Sequence, residues 1–173
     1  MSNGSTRRTS ISDLSAKKLR REKWAMITAY EALTASIFEG VGIPVLLVGD
    51  SAGNNFLGEK NTIPVTLEQM IMLSRAVVLG TSTAMVVADL PFGSYEKSPK
   101  HALESATRLF KESRVQAVKL EGGKKVVPQI KKLVNAGIPV MGHLGLTPQS
   151  VYALGGFKVQ GRGESAKDRR AHV

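Results

Sequence analysis

Short apolar runs alternate with stretches of helical spacing along this chain, and that alternation leaves few folds open. The runs are residues 24–28, 44–48 (PVLLV), 84–88 (AMVVA), 117–120 and 138–141. Short runs such as PVLLV, unbroken by polar side chains, suit strands buried on both faces. The helical stretches are 13–20, 30–39, 66–79, 98–113 and 124–135. Their ends carry local signals. Ser12 or Asp13 can cap the first, Gly40 and Gly42 follow the second, and Gly137 closes the last. Thr66 caps the third, with Glu68 in its first turn and Gly80 past its end. Ser98-Pro99 opens the fourth, where proline suits the first helical position. Strands alternating with helices mean parallel strands joined by crossovers. A doubly wound sheet and a (β/α)₈ barrel both fit that order. No GxGxxG follows the first strand, which weakens the dinucleotide-binding version.

The polar residues favour the barrel. The second, third and fourth strands each end in an acid: Asp50 in LLVGDS, Asp89 in VVADLPF and Glu121 in VKLEGG. The C-terminal ends of barrel strands converge on one face, so these acids are expected to approach one another. Carboxylates gathered together repel unless protons or a cation intervene. Oxygen-only ligands favour a hard cation such as Mg²⁺. A lone Asp after a strand more often caps a helix or forms a turn. From the pattern alone, a shared metal site and separate turn-forming acids both stay open. Lys119 lies two residues before Glu121, so the two point to the same side of a strand. A buried lysine needs a partner. An ion pair inside the barrel and a hold on an anionic substrate group are both open roles. Ser51 can donate to a carboxylate or cap a turn, and His143 is either structural or catalytic. The paired glycines Gly122-Gly123 and Gly155-Gly156 read as turn requirements.

The chain has 173 residues, enough for one domain with a core. It has no cysteine, which excludes a disulfide framework and thiolate metal sites. No apolar run is long enough to span a membrane or to serve as a secretory signal, so a cytoplasmic protein is expected. The net charge of +10 is concentrated near the ends, at Arg7, Arg8, Lys17, Lys18, Arg20, Arg21 and Lys23 and again at Lys158, Arg162, Lys167, Arg169 and Arg170. No aromatic residues interleave with these as stacking platforms, so solvated faces are expected rather than a nucleic-acid surface. Asp13 and Glu22 argue against a transit peptide. Residues 1–12 are expected to be a flexible extension and 13–173 the barrel domain. The polar end at 164–173 starts like a helix but carries almost no apolar stripe.

Several segments resemble the ketopantoate hydroxymethyltransferase family. They are TAYEA, LLVGDSAG, IPVTLEQM, VVADLPFGSY, VKLEGG and GHLGLTPQSVYALGGFKVQGRG, and they lie in order between about residues 10 and 165. The resemblance implies a (β/α)₈ TIM barrel of the phosphoenolpyruvate-mutase-like kind, here covering about five βα units. It implies transfer of a hydroxymethyl group from 5,10-methylenetetrahydrofolate to 3-methyl-2-oxobutanoate, giving 2-dehydropantoate in pantothenate biosynthesis through a Mg²⁺-bound enolate. It places Mg²⁺ on Asp50, Asp89 and Glu121, and the oxoacid on Asp50, Ser51, Asp89 and Lys119. It also implies a homo-oligomer. The family's catalytic base is a glutamate on a later strand, so it is expected beyond residue 173 and the chain as given is expected to be impaired. Two departures stand near the matched motifs. Glu31 replaces the usual Asp in TAYEA, and Asn54 stands where Met is common. Two other readings fit the same residues: a non-catalytic oxoacid-binding fragment or assembly partner, and a Mg²⁺-dependent carbon–carbon lyase on the same scaffold. The GHLGLTPQS and KVQGR stretches speak against the lyase.

Overall fold

The computed structural model of the chain describes residues 7–156. The stretch FKVQGRG, the basic cluster from Lys158 to Arg170 and the polar segment 164–173 lie outside the described residues.

Five strands form one parallel sheet: β1 (Met26–Thr28), β2 (Val45–Val48), β3 (Met85–Asp89), β4 (Ala117–Glu121) and β5 (Val140–His143). Their spatial order is β1-β2-β3-β4-β5, the same as their order in the chain. That decides between the two architectures left open by the alternation. A doubly wound sheet reverses its strand order partway and covers both faces with helices. Here every crossover steps the same way, which is how a barrel grows.

Packing agrees with the order. Leu46, Val48, Val86, Ala88, Val118 and Leu120 face one side and join a core with α4 (Leu67–Leu79), α5 (Pro99–Ser113) and α6 (Val127–Asn135). Burying each of the Leu and Val side chains among these stabilises the fold by about 1.5–3 kcal/mol. The alternate residues Val45, Met85, Val87 and Ala117 face the other side as a second, smaller cluster, with Leu47 and Met141. Leu14 of α1 (Ile11–Leu19) packs against that inner face. The period of two along each strand then places Asp89, in line with Met85 and Val87, on the inner face. It does the same for Lys119 and Glu121, in line with Ala117. The outer edges of β1 and β5 have no strand partner among the described residues, and Met26 and Ile27 are more than a third exposed.

Helix starts follow the capping signals. Thr66 forms a capping box with Gln69 at the start of α4, and Ser98 accepts from the His101 N–H at the start of α5. Several boundaries differ from the sequence reading; the last strand, expected over 138–141, runs Val140–His143. Residues 8–12 are tied down, because Ser10 caps α1 and Arg8 is hydrogen-bonded to residues 78–84, so the boundary expected at 12 falls inside a helix. The first strand begins at Met26 rather than Trp24. The loop expected over 49–65 contains one short helix, α3 (Ala52–Asn55). The helix expected from Lys124 opens as a 3₁₀ turn at Lys124–Val126 and becomes α-helical at Val127, where Pro128 sets the first turn. Glu31 caps α2 (Ala32–Gly40) by accepting from the Leu33 and Thr34 N–H groups, so this departure serves the helix start.

Candidate functional site

The strand ends bring Asp50, Asp89, Lys119 and Glu121 together at the C-terminal end of the sheet, all buried. Asp89 ends β3 and Glu121 ends β4, whereas Asp50 stands two residues past β2. The Asp50 N–H donates to Asp89 Oδ2 at 3.1 Å. Gly49 permits that approach: a Cβ there would lie 3.3 Å from Asp89 Oδ2 and 2.8 Å from Ser51 Oγ. Gly122 follows Glu121 with φ +126°, a left-handed conformation that turns the chain away from the strand end.

Lys119 donates to Asp89 Oδ1 and lies 3.7 Å from Glu121 Oε1. Its ammonium therefore serves both acids of its own sheet face. Glu121 Oε1 is also 2.8 Å from His143 Nδ1, at the end of β5. Ser51 is bonded to the Tyr30 hydroxyl at 2.9 Å, which in turn accepts from Asn55 Nδ2. Thus every residue marked in the sequence lies at this end, with Ser51 held on its Tyr30 side.

Two further side chains complete the cluster. Gln149, in a 3₁₀ turn at Pro148–Ser150, donates from Nε2 to Asp50 Oδ2 at 2.8 Å and from its backbone N–H to Glu121 Oε2 at 3.1 Å. The Tyr95 hydroxyl accepts from the Glu121 N–H and lies 2.5 Å from Gln149 Oε1. Burial raises the Tyr95 phenol well above its usual range, so it stays a neutral hydrogen-bonding group. Both residues sit within the segments VVADLPFGSY and GHLGLTPQS. Their side-chain types carry no charge that would have marked them.

The electrostatics are unbalanced. Three buried carboxylates face one ammonium. Burial, and then repulsion from Asp89, push the Asp50 carboxyl from its ordinary 3.8 to about 7. Burial also raises Asp89, against the pull of Lys119. Among the described residues no three His, Cys, Asp or Glu side chains are gathered as a ready cage for a metal ion. Asp50 and Asp89 are adjacent, while Glu121 stands beyond the Lys119 ammonium. The donor chemistry nevertheless fits a hard divalent cation, being oxygen-only, buried and in surplus negative charge. Magnesium takes one or two carboxylates directly and keeps several waters, so Asp50 and Asp89 are the acids that would hold it.

A family model described as ketopantoate hydroxymethyltransferase matches residues 8–172. A 3-methyl-2-oxobutanoate hydroxymethyltransferase of Streptomyces avermitilis is 63% identical over 161 residues, covering 93% of this chain and 56% of the relative. One of the same name from Thermobifida fusca is 62% identical, over 94% of this chain and 58% of the relative. The chain therefore spans little more than half the length of these curated relatives. Among solved structures, a phosphonopyruvate hydrolase crystallised with oxalate and Mg²⁺ superposes with a TM-score of 0.65 at 12% identity, over 92% of this chain and 57% of that one. A 2,3-dimethylmalate lyase, a member of the PEP mutase/isocitrate lyase superfamily, gives 0.53 at 16% identity, over 74% of this chain and 52% of that one. At such identities the likeness is one of fold. It agrees with the barrel-type strand order.

Proposed function

The chain belongs to the ketopantoate hydroxymethyltransferase family, and from that premise we propose that its buried acids hold Mg²⁺ and a 2-oxo acid for hydroxymethyl transfer. The acceptor is 3-methyl-2-oxobutanoate, the donor 5,10-methylenetetrahydrofolate and the product 2-dehydropantoate, a step of pantothenate biosynthesis. The observation that carries this reading is the single buried cluster of Asp50, Asp89, Lys119 and Glu121 at the strand ends.

Each side chain has a task that its surroundings suit. Asp50 and Asp89, close enough for their carboxylates to repel, would hold the cation. When bound, Mg²⁺ supplies Lewis-acid charge stabilisation at the keto oxygen of the substrate. Lys119 adds a fixed positive charge beside the place where oxyanion charge develops. Burial strengthens that effect, because little water screens it. The Ser51 hydroxyl, bonded to Tyr30, would donate to the substrate carboxylate. Glu121 is the third metal acid and balances Lys119. None of these five is asked to take the C3 proton. The same reading carries a cytoplasmic homo-oligomer.

Isothermal titration tests it directly. The chain is titrated with Mg²⁺, with 3-methyl-2-oxobutanoate, and with the oxoacid in the presence of Mg²⁺. Heat from the oxoacid that requires Mg²⁺ is expected, and its loss in Asp50→Asn. No heat with both present would overturn the assignment.

A further inference from the structure

Gln149 occupies a position that the proposed chemistry has not used. The residue lies in the interior, 6% exposed, and bonds two acids, Asp50 through its side chain and Glu121 through its backbone N–H. One Nε2 hydrogen goes to Asp50 Oδ2 at 2.8 Å and the other to the Leu90 carbonyl at 2.9 Å. Its Oε1 faces the Tyr95 hydroxyl at 2.5 Å, and its backbone N–H reaches Glu121 Oε2 at 3.1 Å. Only one orientation of the amide satisfies these contacts. Flipped, it would set its oxygen against a carboxylate and a carbonyl.

From these contacts, and resting on the reading above, we infer that Gln149 is a positioning residue, a neutral clamp that sets where the Asp50 and Glu121 carboxylates stand relative to each other for the cation. Charge is the reason for an amide here. A lysine in its place would neutralise Asp50 and compete with a metal. An amide donor fixes the carboxylate and leaves its charge available. The segment that carries Gln149 has other anchors. Val151 is buried, and the Tyr152 hydroxyl accepts from Asn61 Nδ2 at 2.8 Å. Holding that segment in place therefore does not by itself require a polar side chain at 149. Partners that orient metal ligands typically change metal affinity by about 10–100-fold when removed.

The test compares Mg²⁺ affinity by isothermal titration in the full chain, in Gln149→Met and in Tyr152→Phe, with the metal-free melting midpoint of each. Gln149→Met keeps the length of the side chain and removes its amide, leaving the backbone N–H on Glu121. We expect its Mg²⁺ affinity to fall at least about tenfold, with a metal-free midpoint lowered by the lost buried hydrogen bonds but a cooperative fold retained. Tyr152→Phe, which loosens the same segment without touching an acid, is expected to bind Mg²⁺ like the parent. Equal affinity in Gln149→Met and the parent would sink the role of Gln149 alone. So would loss of the metal-free fold in Gln149→Met, or an equal fall in Tyr152→Phe, since either would make the contact structural. A parent chain that takes up no Mg²⁺ would sink this inference together with the reading it rests on.

Discussion

The two ends of the sheet treat charge in opposite ways. At the N-terminal end, Arg8 reaches into the turn between α4 and β3 and donates to the carbonyls of Val78, Thr81 and Ala84 and to the Thr81 hydroxyl. It thereby satisfies carbonyls that a helix end leaves without partners. Glu39, from the last turn of α2, accepts from the N–H groups of Ser82, Thr83 and Ala84 in the same turn. Burial works to raise its pKa, yet those N–H groups hold it below the ordinary range. At the C-terminal end, three carboxylates share one ammonium, and Asp50 and Asp89 are both pushed upward. One end has each charge matched by backbone dipoles, which serves stability. The other keeps a surplus of negative charge in low dielectric, an arrangement that is costly alone and useful for binding a cation.

The contrast can be broken at three places. Lys119→Met removes the one cation from the C-terminal cluster, and breaking such a buried pair costs about 3–5 kcal/mol. Urea unfolding should register that loss, and Mg²⁺ should restore part of it. If Mg²⁺ restores nothing, the surplus charge is not waiting for a cation. Next is pH. Folded Asp50 holds its proton up to about 7 instead of 3.8, so between those values the folded chain binds more protons than the unfolded one. Stability of the metal-free protein should therefore fall as pH rises through that window, by on the order of 3 kcal/mol. Asp50→Asn should flatten that part of the profile, and a profile unchanged by the substitution would place the strain elsewhere. The smallest effect is expected at the other end. Arg8→Ala should cost about 2 kcal/mol, as for hydrogen bonds to a charged group, and equally with and without Mg²⁺. A change in Mg²⁺ affinity in that variant would show that the two ends are coupled.

The elements were mostly legible in the sequence, because strands buried on both faces leave unbroken apolar runs and caps leave Thr66 and Ser98 where they are needed. The acids were legible for a related reason. A charge at the end of an apolar strand stands out, and Asp89, Lys119 and Glu121 share the inner face that the period of two predicts. Arg8 was not legible, since an arginine in a polar N-terminal stretch looks like any solvated charge until the turn at 78–84 is placed beside it. Nor was the role of Glu31, whose carboxylate caps its own helix.

By itself, then, the sequence determined the alternation of strands and helices, the family and the identity of the acids, all of which are local or pairwise in the chain. The tertiary structure decided the rest. It bore out, in its strand order, the barrel that the strand-end acids and the family resemblance had implied, a choice that periodicity alone leaves open because crossover direction is a matter of packing. It set Lys119 between Asp89 and Glu121, so that the three acids do not form a closed cage. It brought Gln149 to Asp50 across 99 positions, a contact between uncharged and charged partners that only the folded chain can make.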